Sequence, residues 1–538
     1  MNDPQKSDGC IVAMKSANKP DGSGAESMER RRPAKGNAGE SRMHRTLSRA
    51  SVSQGLDRVR ERAKSQKKER FTALLHHVDV ERLRRAYLAL KRNASPGIDG
   101  TTWQQYGQAL EANLTELHGR IHRGTYRALP SKRQYIPKAD GRQRPLGIAA
   151  LEDKIVQRAV VEVLNAIYEA DFLGFSYGFR PKRSQHDALD ALAFGITQRR
   201  VNWIVDSDLQ SFFDSVSHEW LIKFLEHRIG DERVLRLIHK WLKAGVMEQG
   251  ELTVSEQGTP QGAVASPLLA NAYLHYVFDL WAEQWRRRHA QGELIIVRFA
   301  DDIVCGFEHE HEAKQFMEEL RERLKKFALS LHPDKTRLIE FGRHAARRRA
   351  QRGLDKPETF DFLGFTHICG QSRRGHFLLK RKTRRDRMRT TLQAVKSELR
   401  QRMHQPLHEQ GTWLGQVVRG YFGYHAVPTN ADRLSAFRHD VVALWRRALR
   451  RRSQKDGTTW SRIERLSAEF IPMPRILHPW PDRRFLVKHP RWEPSARIGP
   501  ARFCAGLRLE AQQVQWPEMA IVATPSQQPR IESCVGGW

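Results

Sequence analysis

Two aspartates stand side by side in Phe299-Ala300-Asp301-Asp302, between the apolar runs 294–299 and 303–307. That layout predicts a tight hairpin with the pair at its tip. Adjacent carboxylates repel each other and are costly to hold together without a cation. A Mg²⁺ ion relieves that cost, since it prefers one or two carboxylates together with waters and substrate phosphates. A solvated turn is the plain alternative, because Asp is common in turns. A second group runs Asp206-Ser207-Asp208-Leu209-Gln210-Ser211-Phe212-Phe213-Asp214, after a strand-like stretch Asn202–Asp206 and into a helical pattern. Asp208 at the strand end can meet Asp301 from a neighbouring strand. Two carboxylates from separate strands are what a two-metal site needs, with ions about 3.5–4 Å apart clamping the attacking and leaving oxygens. Loop and helix-cap duty is the alternative for Asp206, Asp208 and Asp214, and at least one of them is expected to have it.

The rest of the chain must position these groups. Its 538 residues suffice for three or four domains of about 100–200 residues each, and 39% are hydrophobic, enough for a sizeable core. A formal charge of +31 points to a large polyanionic partner, because such a field otherwise repels itself. Nucleic acid fits first and an anionic membrane a poor second. The longest apolar stretches fall far short of the ~20 residues of a spanning helix, and no secretory h-region opens the chain, so a cytoplasmic location is expected. Five scattered Cys without a C-x-x-C pair argue against a disulfide framework and a structural zinc site. Asp153–Ile167 and Ser184–Leu192 read as amphipathic helices. Lys138 and Arg144 flank Ala139-Asp140-Gly141, a hairpin turn by composition. On adjacent strands both can point at one triphosphate, although two solvated charges beside a turn are the favoured reading from these residues alone.

In order along the chain, these motifs resemble those of the reverse transcriptases encoded by group II introns. Asp208–Asp214 and Phe299–Asp302 look like the two catalytic motifs, with FADD in place of the commoner YADD. Ser95–Gly100 (SPGIDG) is similar to an N-terminal block of that family, Ile136–Lys138 with Arg144–Ile148 to its fingers hairpin, and Phe175–Pro181 (FSYGFRP) to a family insertion. Gly258–Gly262 (GTPQG) with Ser266–Asn271 (SPLLAN) resembles the template and nucleotide block, while Leu331–Thr336 (LHPDKT) and Phe360–Phe365 (FDFLGF) close the palm.

The resemblance implies an α+β right hand: fingers and a palm built on an antiparallel sheet, then an α-helical thumb or maturase domain. Residues 1–70 would be a basic, mostly disordered leader with a helix starting near Ser53, and 71–370 the fingers and palm. Residues 371–470, basic and read as helical from Gly370 onward, would form the thumb, and 471–538 a DNA-binding or lineage-specific tail. No H-N-H endonuclease is expected, for want of paired C-x-x-C motifs. Asp208, Asp301 and Asp302 would be the catalytic Mg²⁺ ligands for two ions, with dNTPs as substrates. Lys138, Arg144, Phe213, Gln261 and Lys335 would surround the nucleotide, Phe213 excluding a 2′-hydroxyl. Arg373, Arg374, Arg381, Lys382, Arg384 and Arg385 would bind phosphates of intron RNA or of template RNA and DNA primer, and Leu414–Tyr424 (LGQVVRGYFGY) matches the thumb's hallmark. Tyr421, Phe422 and Tyr424 can stack on bases, but at helical spacing at least one is expected in the core. The implied function is RNA-directed DNA synthesis together with assistance to intron splicing. The alternatives are an RNA-binding maturase without polymerase activity, or a reverse transcriptase of a defence or diversity-generating element.

Overall fold

A strand that is apolar at nearly every position is stable only if both of its faces are covered, and the runs at 294–299 and 303–307 are covered in this way. The computed structural model describes residues 55–137, 143–248, 251–254, 257–259, 262–452 and 458–488. The leader up to residue 54, Lys138, Gln261 and the tail beyond 488 lie outside the described residues.

The central sheet has the order β6-β7-β3-β8 and is antiparallel throughout: β6 Leu294–Phe299, β7 Asp302–Phe307, β3 Trp203–Asp208 and β8 Arg337–Glu340. Side chains alternate between its faces. Leu294, Ile296, Ile303, Cys305 and Val205 join one core; Ile295, Val297, Val304, Ile204 and Ile339 join a second. The first core is completed by helices α1 (Val80–Leu88), α2 (Leu110–Arg123) and α3 (Leu151–Asp171), among others; the second takes in α4 (Gln185–Gln198). Helix α4 starts where the sequence suggests, because Ser184 and Asp187 form a reciprocal capping box. It runs six residues past Leu192, since Ala193, Phe194 and Ile196 remain on the buried face.

A second sheet, β2-β1-β4-β5, carries the β1 (Ser131–Pro137) and β2 (Gln143–Ile148) hairpin, with Ile136 opposite Arg144. Its remaining strands are β4 (Val246–Glu248), parallel to β1, and β5 (Glu251–Thr253). The third sheet, β11-β10-β9, joins β9 (Phe360–Phe362), β10 (Phe365–Gln371) and β11 (Phe377–Thr383). Leu363 and Gly364 between β9 and β10 both have positive φ, as a two-residue primed hairpin turn requires.

The basic stretch after Gly370 is therefore not helical at its start. Residues 377–383 form β11, and helix begins only with α5 (Arg385–Gln401). In β11, Leu379, Arg381 and Thr383 are buried while Lys380 and Lys382 are half-exposed. That is strand alternation, with a charged residue in a buried position where the pattern normally shows an apolar one. Helices α5, α6 (Leu407–His425), α7 (Ala431–Arg450) and α8 (Trp460–Phe470) enclose a third core around Leu414, Val418, Phe437 and Trp445. Tyr421 and Phe422 belong to that core, and Tyr421 stacks on Phe437 at 3.6 Å between centroids. Tyr424 donates to the Leu363 carbonyl at 2.8 Å, tying the helices to the third sheet.

From Ile471 the chain returns to the central sheet's second core. Helix α9 (Pro481–Lys488) lays Phe485 on Phe194 of α4 at 4.4 Å, while Arg484 pairs with the buried Asp190. Asp190 also holds Arg381 at 3.3 Å. Removing a carboxylate shared by two guanidinium groups leaves buried positive charge uncompensated. Asp190→Ala is expected to lower stability by about 3 kcal/mol, read as an earlier denaturant midpoint. No helix among the described residues is long and apolar enough to cross a membrane.

Candidate active site

The turn between β6 and β7 holds only Ala300 and Asp301, so the first paired residue of β7 is Asp302, opposite Phe299. On its other side Asp302 faces Asp208, the last residue of β3. The strand-end carboxylate thus pairs across the ladder with Asp302, one residue along from the expected Asp301, which projects from the turn beside both. Like charges directly opposite in a ladder are destabilising. Asp302 is pushed up to about 7, chiefly by the protein crowded around its base and then by Asp301, Asp208 and Asp206. Asp301 is also raised, by burial first and by Asp208 after it, while the charges of Arg144 and Lys335 act in the opposite direction. Asp206, further down β3, is pushed up to about 6 by burial, against the pull of Arg337.

Positive charge is drawn to this corner. The Lys335 ammonium is ion-paired with Asp208. Its segment is held along the strand end by the His332 amide donating to the Asp208 carbonyl at 2.8 Å. Among the described residues no group of three or more His, Cys, Asp or Glu side chains is gathered tightly enough to cage a metal unaided. Mg²⁺ does not need such a cage, because it retains waters and binds substrate phosphates alongside one or two carboxylates. Hard oxygen donors, mutual repulsion and a lysine already neutralising one of them make a donor set that fits Mg²⁺.

Around the carboxylates, Phe212 is buried in the core and Phe213 is half-exposed beside it, with centroids 5.4 Å apart. The glycine-rich segment is fastened to this same stretch: the Thr259 amide donates to the Phe213 carbonyl at 2.7 Å, and the Gly258 amide to Val216 at 2.8 Å. Gly258 and Gly262 have φ of +90° and +104°, and a Cβ on Gly262 would press on the Gly147 carbonyl at 3.1 Å. These glycines let the segment turn between β2 and the Phe213 loop. Arg144 lies exposed on β2.

The candidate phosphate binders separate. Arg373 and Arg374 are exposed in the β10–β11 turn, and Arg385 is exposed at the start of α5. Arg384 pairs with Asp386 at 2.7 Å and Asp361 at 3.5 Å, and Lys382 pairs with Asp432. Arg381 is 2% exposed and bound to Asp190, so it braces the fold and presents no surface to a phosphate. The correction follows from strand alternation, which turns Arg381 inward between Lys380 and Lys382.

Sequence reading missed the support beneath the aspartates. Arg298 of β6 is fully buried and its five N–H groups meet five acceptors. They reach Asp279 at 2.7 and 2.6 Å, Ser176 Oγ at 2.7 Å, Asn271 Oδ1 at 3.0 Å and the Ala300 carbonyl at 3.0 Å. The signal was present as one arginine inside an otherwise apolar strand, which demands a buried counter-charge.

The reverse transcriptase (RNA-dependent DNA polymerase) family matches residues 136–367 of the chain. Protein YkfC of Escherichia coli (strain K12) is 36% identical over 310 residues, covering 50% of this chain and 80% of that protein. The group II intron-encoded protein LtrA of Lactococcus lactis subsp. cremoris is 35% identical over 224 residues, 41% of this chain and 37% of LtrA. The putative COX1/OXI3 intron 1 protein of Saccharomyces cerevisiae is 31% identical over 219 residues, 40% of this chain and 26% of that protein. The chain thus spans well under half the length of the intron proteins it matches.

Proposed function

This chain belongs to the group II intron-encoded reverse transcriptase/maturase family, and on that premise we propose that it copies RNA into DNA and binds intron RNA to assist splicing and mobility. The observation that carries the polymerase reading is the meeting of Asp208, Asp301 and Asp302 at one end of the central sheet. In this reading the second sheet belongs to the fingers, the central and third sheets to the palm, and helices α5–α8 to the thumb of a right hand.

The reaction is attack of a primer 3′-hydroxyl on the α-phosphate of a dNTP, forming the new phosphodiester and releasing pyrophosphate. Two Mg²⁺ ions, held by Asp208, Asp301 and Asp302, would supply the charge that favours ionisation of the attacking hydroxyl and stabilises the departing oxygen. The chain's own groups do the positioning. Arg144 holds the triphosphate together with Lys138; Arg can do so bidentately and Lys as a point charge. Lys335, already beside Asp208, balances the negative charge gathered there. Gln261, between Gly258 and Gly262 in the sequence, contributes to nucleotide binding. Phe213 lies under the sugar and leaves no room for a 2′-hydroxyl. Phe213→Ala is expected to raise rNTP incorporation relative to dNTP by roughly ten- to a hundredfold, measured by single-nucleotide addition with matched triphosphates.

Exposed Arg373, Arg374 and Arg385 would follow the phosphates of template, primer or intron RNA. Two assays on one preparation test the whole proposal: DNA synthesis on an RNA template, and splicing of the intron that encodes the chain, with and without protein. Synthesis with no effect on splicing would remove the maturase role. Stimulated splicing without synthesis would remove the polymerase role.

A further inference from the structure

A buried ion pair is weak support for stability, because apolar residues of similar volume serve as well or better. The fully satisfied Arg298 network therefore calls for another reason. Its acceptors come from three separate places: Ser176 in the FSYGFRP segment, Asn271 and Asp279 on the continuous helix 266–288, whose residues 275–279 form a π-helical turn, and the Ala300 carbonyl in the aspartate turn. The last of these belongs to the peptide joining Ala300 to Asp301. Ala300 has φ of +57°, a left-handed conformation that costs an alanine free energy and persists only where the surroundings enforce it. The enforcement comes from two sides. Arg298 holds the carbonyl of that residue, and Gly178 packs against its nitrogen so closely that any Cβ there would collide with it and lie 2.9 Å from the Phe299 carbonyl carbon. Gly178 is itself held by Asn271, whose Nδ2 donates to its carbonyl at 2.6 Å. Backbone hydrogen bonds from Arg298 to Phe175 (2.9 Å) and from Tyr177 to Arg298 (2.8 Å) fix the segment along β6.

We propose that Arg298 is a positioning residue. Its guanidinium, locked by Ser176, Asn271 and Asp279, sets the plane of the Ala300–Asp301 peptide and so aims Asp301 and Asp302 at the ions they bind. This rests on the polymerase reading and assigns a role in it to the residues beneath the aspartate turn.

The test measures Mn²⁺ binding by electron paramagnetic resonance on the full chain, with an RNA template, a dideoxy-terminated primer and the matching dNTP, so that no turnover occurs. Ser176→Ala and Arg298→Lys are expected to weaken Mn²⁺ binding about 10–100-fold, the usual effect of removing a group that orients a metal ligand. Gly178→Ala, which displaces the turn directly, is expected to do the same. Phe485→Ala serves as a control that destabilises the second core without removing any hydrogen bond of the Arg298 network, and it should bind Mn²⁺ as the wild type does. Wild-type affinity in folded Ser176→Ala and Gly178→Ala would overturn the proposal, as would equal weakening in Phe485→Ala. Absence of Mn²⁺ binding in the wild type would instead overturn the polymerase reading itself.

Discussion

Asp301→Ala is expected to lower nucleotide addition on an RNA template by about three orders of magnitude, the scale of losing a principal electrostatic group from an active site. The same substitution should leave the chain at least as stable as the wild type. Burial and the neighbouring Asp208 raise the protonation constant of Asp301, so ionising it costs more in the folded than in the unfolded state. Removing it relieves repulsion that only a cation relieves otherwise. Activity lost with stability kept or gained is the mark of a site held under strain for function. A thermal unfolding midpoint that fell in step with activity would instead make Asp301 a structural residue. Asp208→Ala should lose activity as severely, but it also strips Lys335 of its ion pair and is the less clean test.

The second large effect is on nucleic-acid affinity. A chain of net charge +31 that neutralises six to ten phosphates should lose roughly 10³- to 10⁵-fold in affinity between about 50 and about 200 mM salt, through counterion release. The individual arginines separate by where they stand. Arg373→Ala, Arg374→Ala and Arg385→Ala, all at exposed positions, should each weaken binding and shallow the salt slope by about one. Arg381→Ala should leave the slope unchanged and lower stability, because its guanidinium is buried against Asp190. Filter-binding or fluorescence-anisotropy titrations over a salt series distinguish the two behaviours. A slope that changed with Arg381 and not with Arg373 or Arg374 would contradict the division.

How much of this was legible beforehand depends on whether the signal is local. The aspartate hairpin was legible, since two apolar runs and a two-residue interruption define strands and turn without tertiary information. So was the face-to-face approach of Asp208, though its partner in the ladder is Asp302, a detail fixed by how many residues the turn consumes. The buried role of Arg381 was not legible, because it depends on Asp190, 191 positions away, and a basic strand looks like a basic helix when charge hides the alternation. Arg298 lies between these cases. Its oddity inside an apolar strand could be read, but not which segments would supply its five acceptors. The FSYGFRP and SPLLAN segments were noticed only as family motifs; their geometry gives them a physical task in holding the turn. The return of α9 onto α4 carries no local signal, as it rests on long-range contacts such as Phe485 on Phe194 and the Asp190 carboxylate.

The most direct measurement is extension of a DNA primer on an RNA template by the wild-type chain, with Mg²⁺ supplied, removed by chelation and supplied again. The account predicts synthesis that requires dNTPs, stops on chelation and resumes when Mg²⁺ is restored. A folded wild-type chain that binds the RNA–DNA hybrid yet adds no nucleotide at any Mg²⁺ or Mn²⁺ concentration would contradict it.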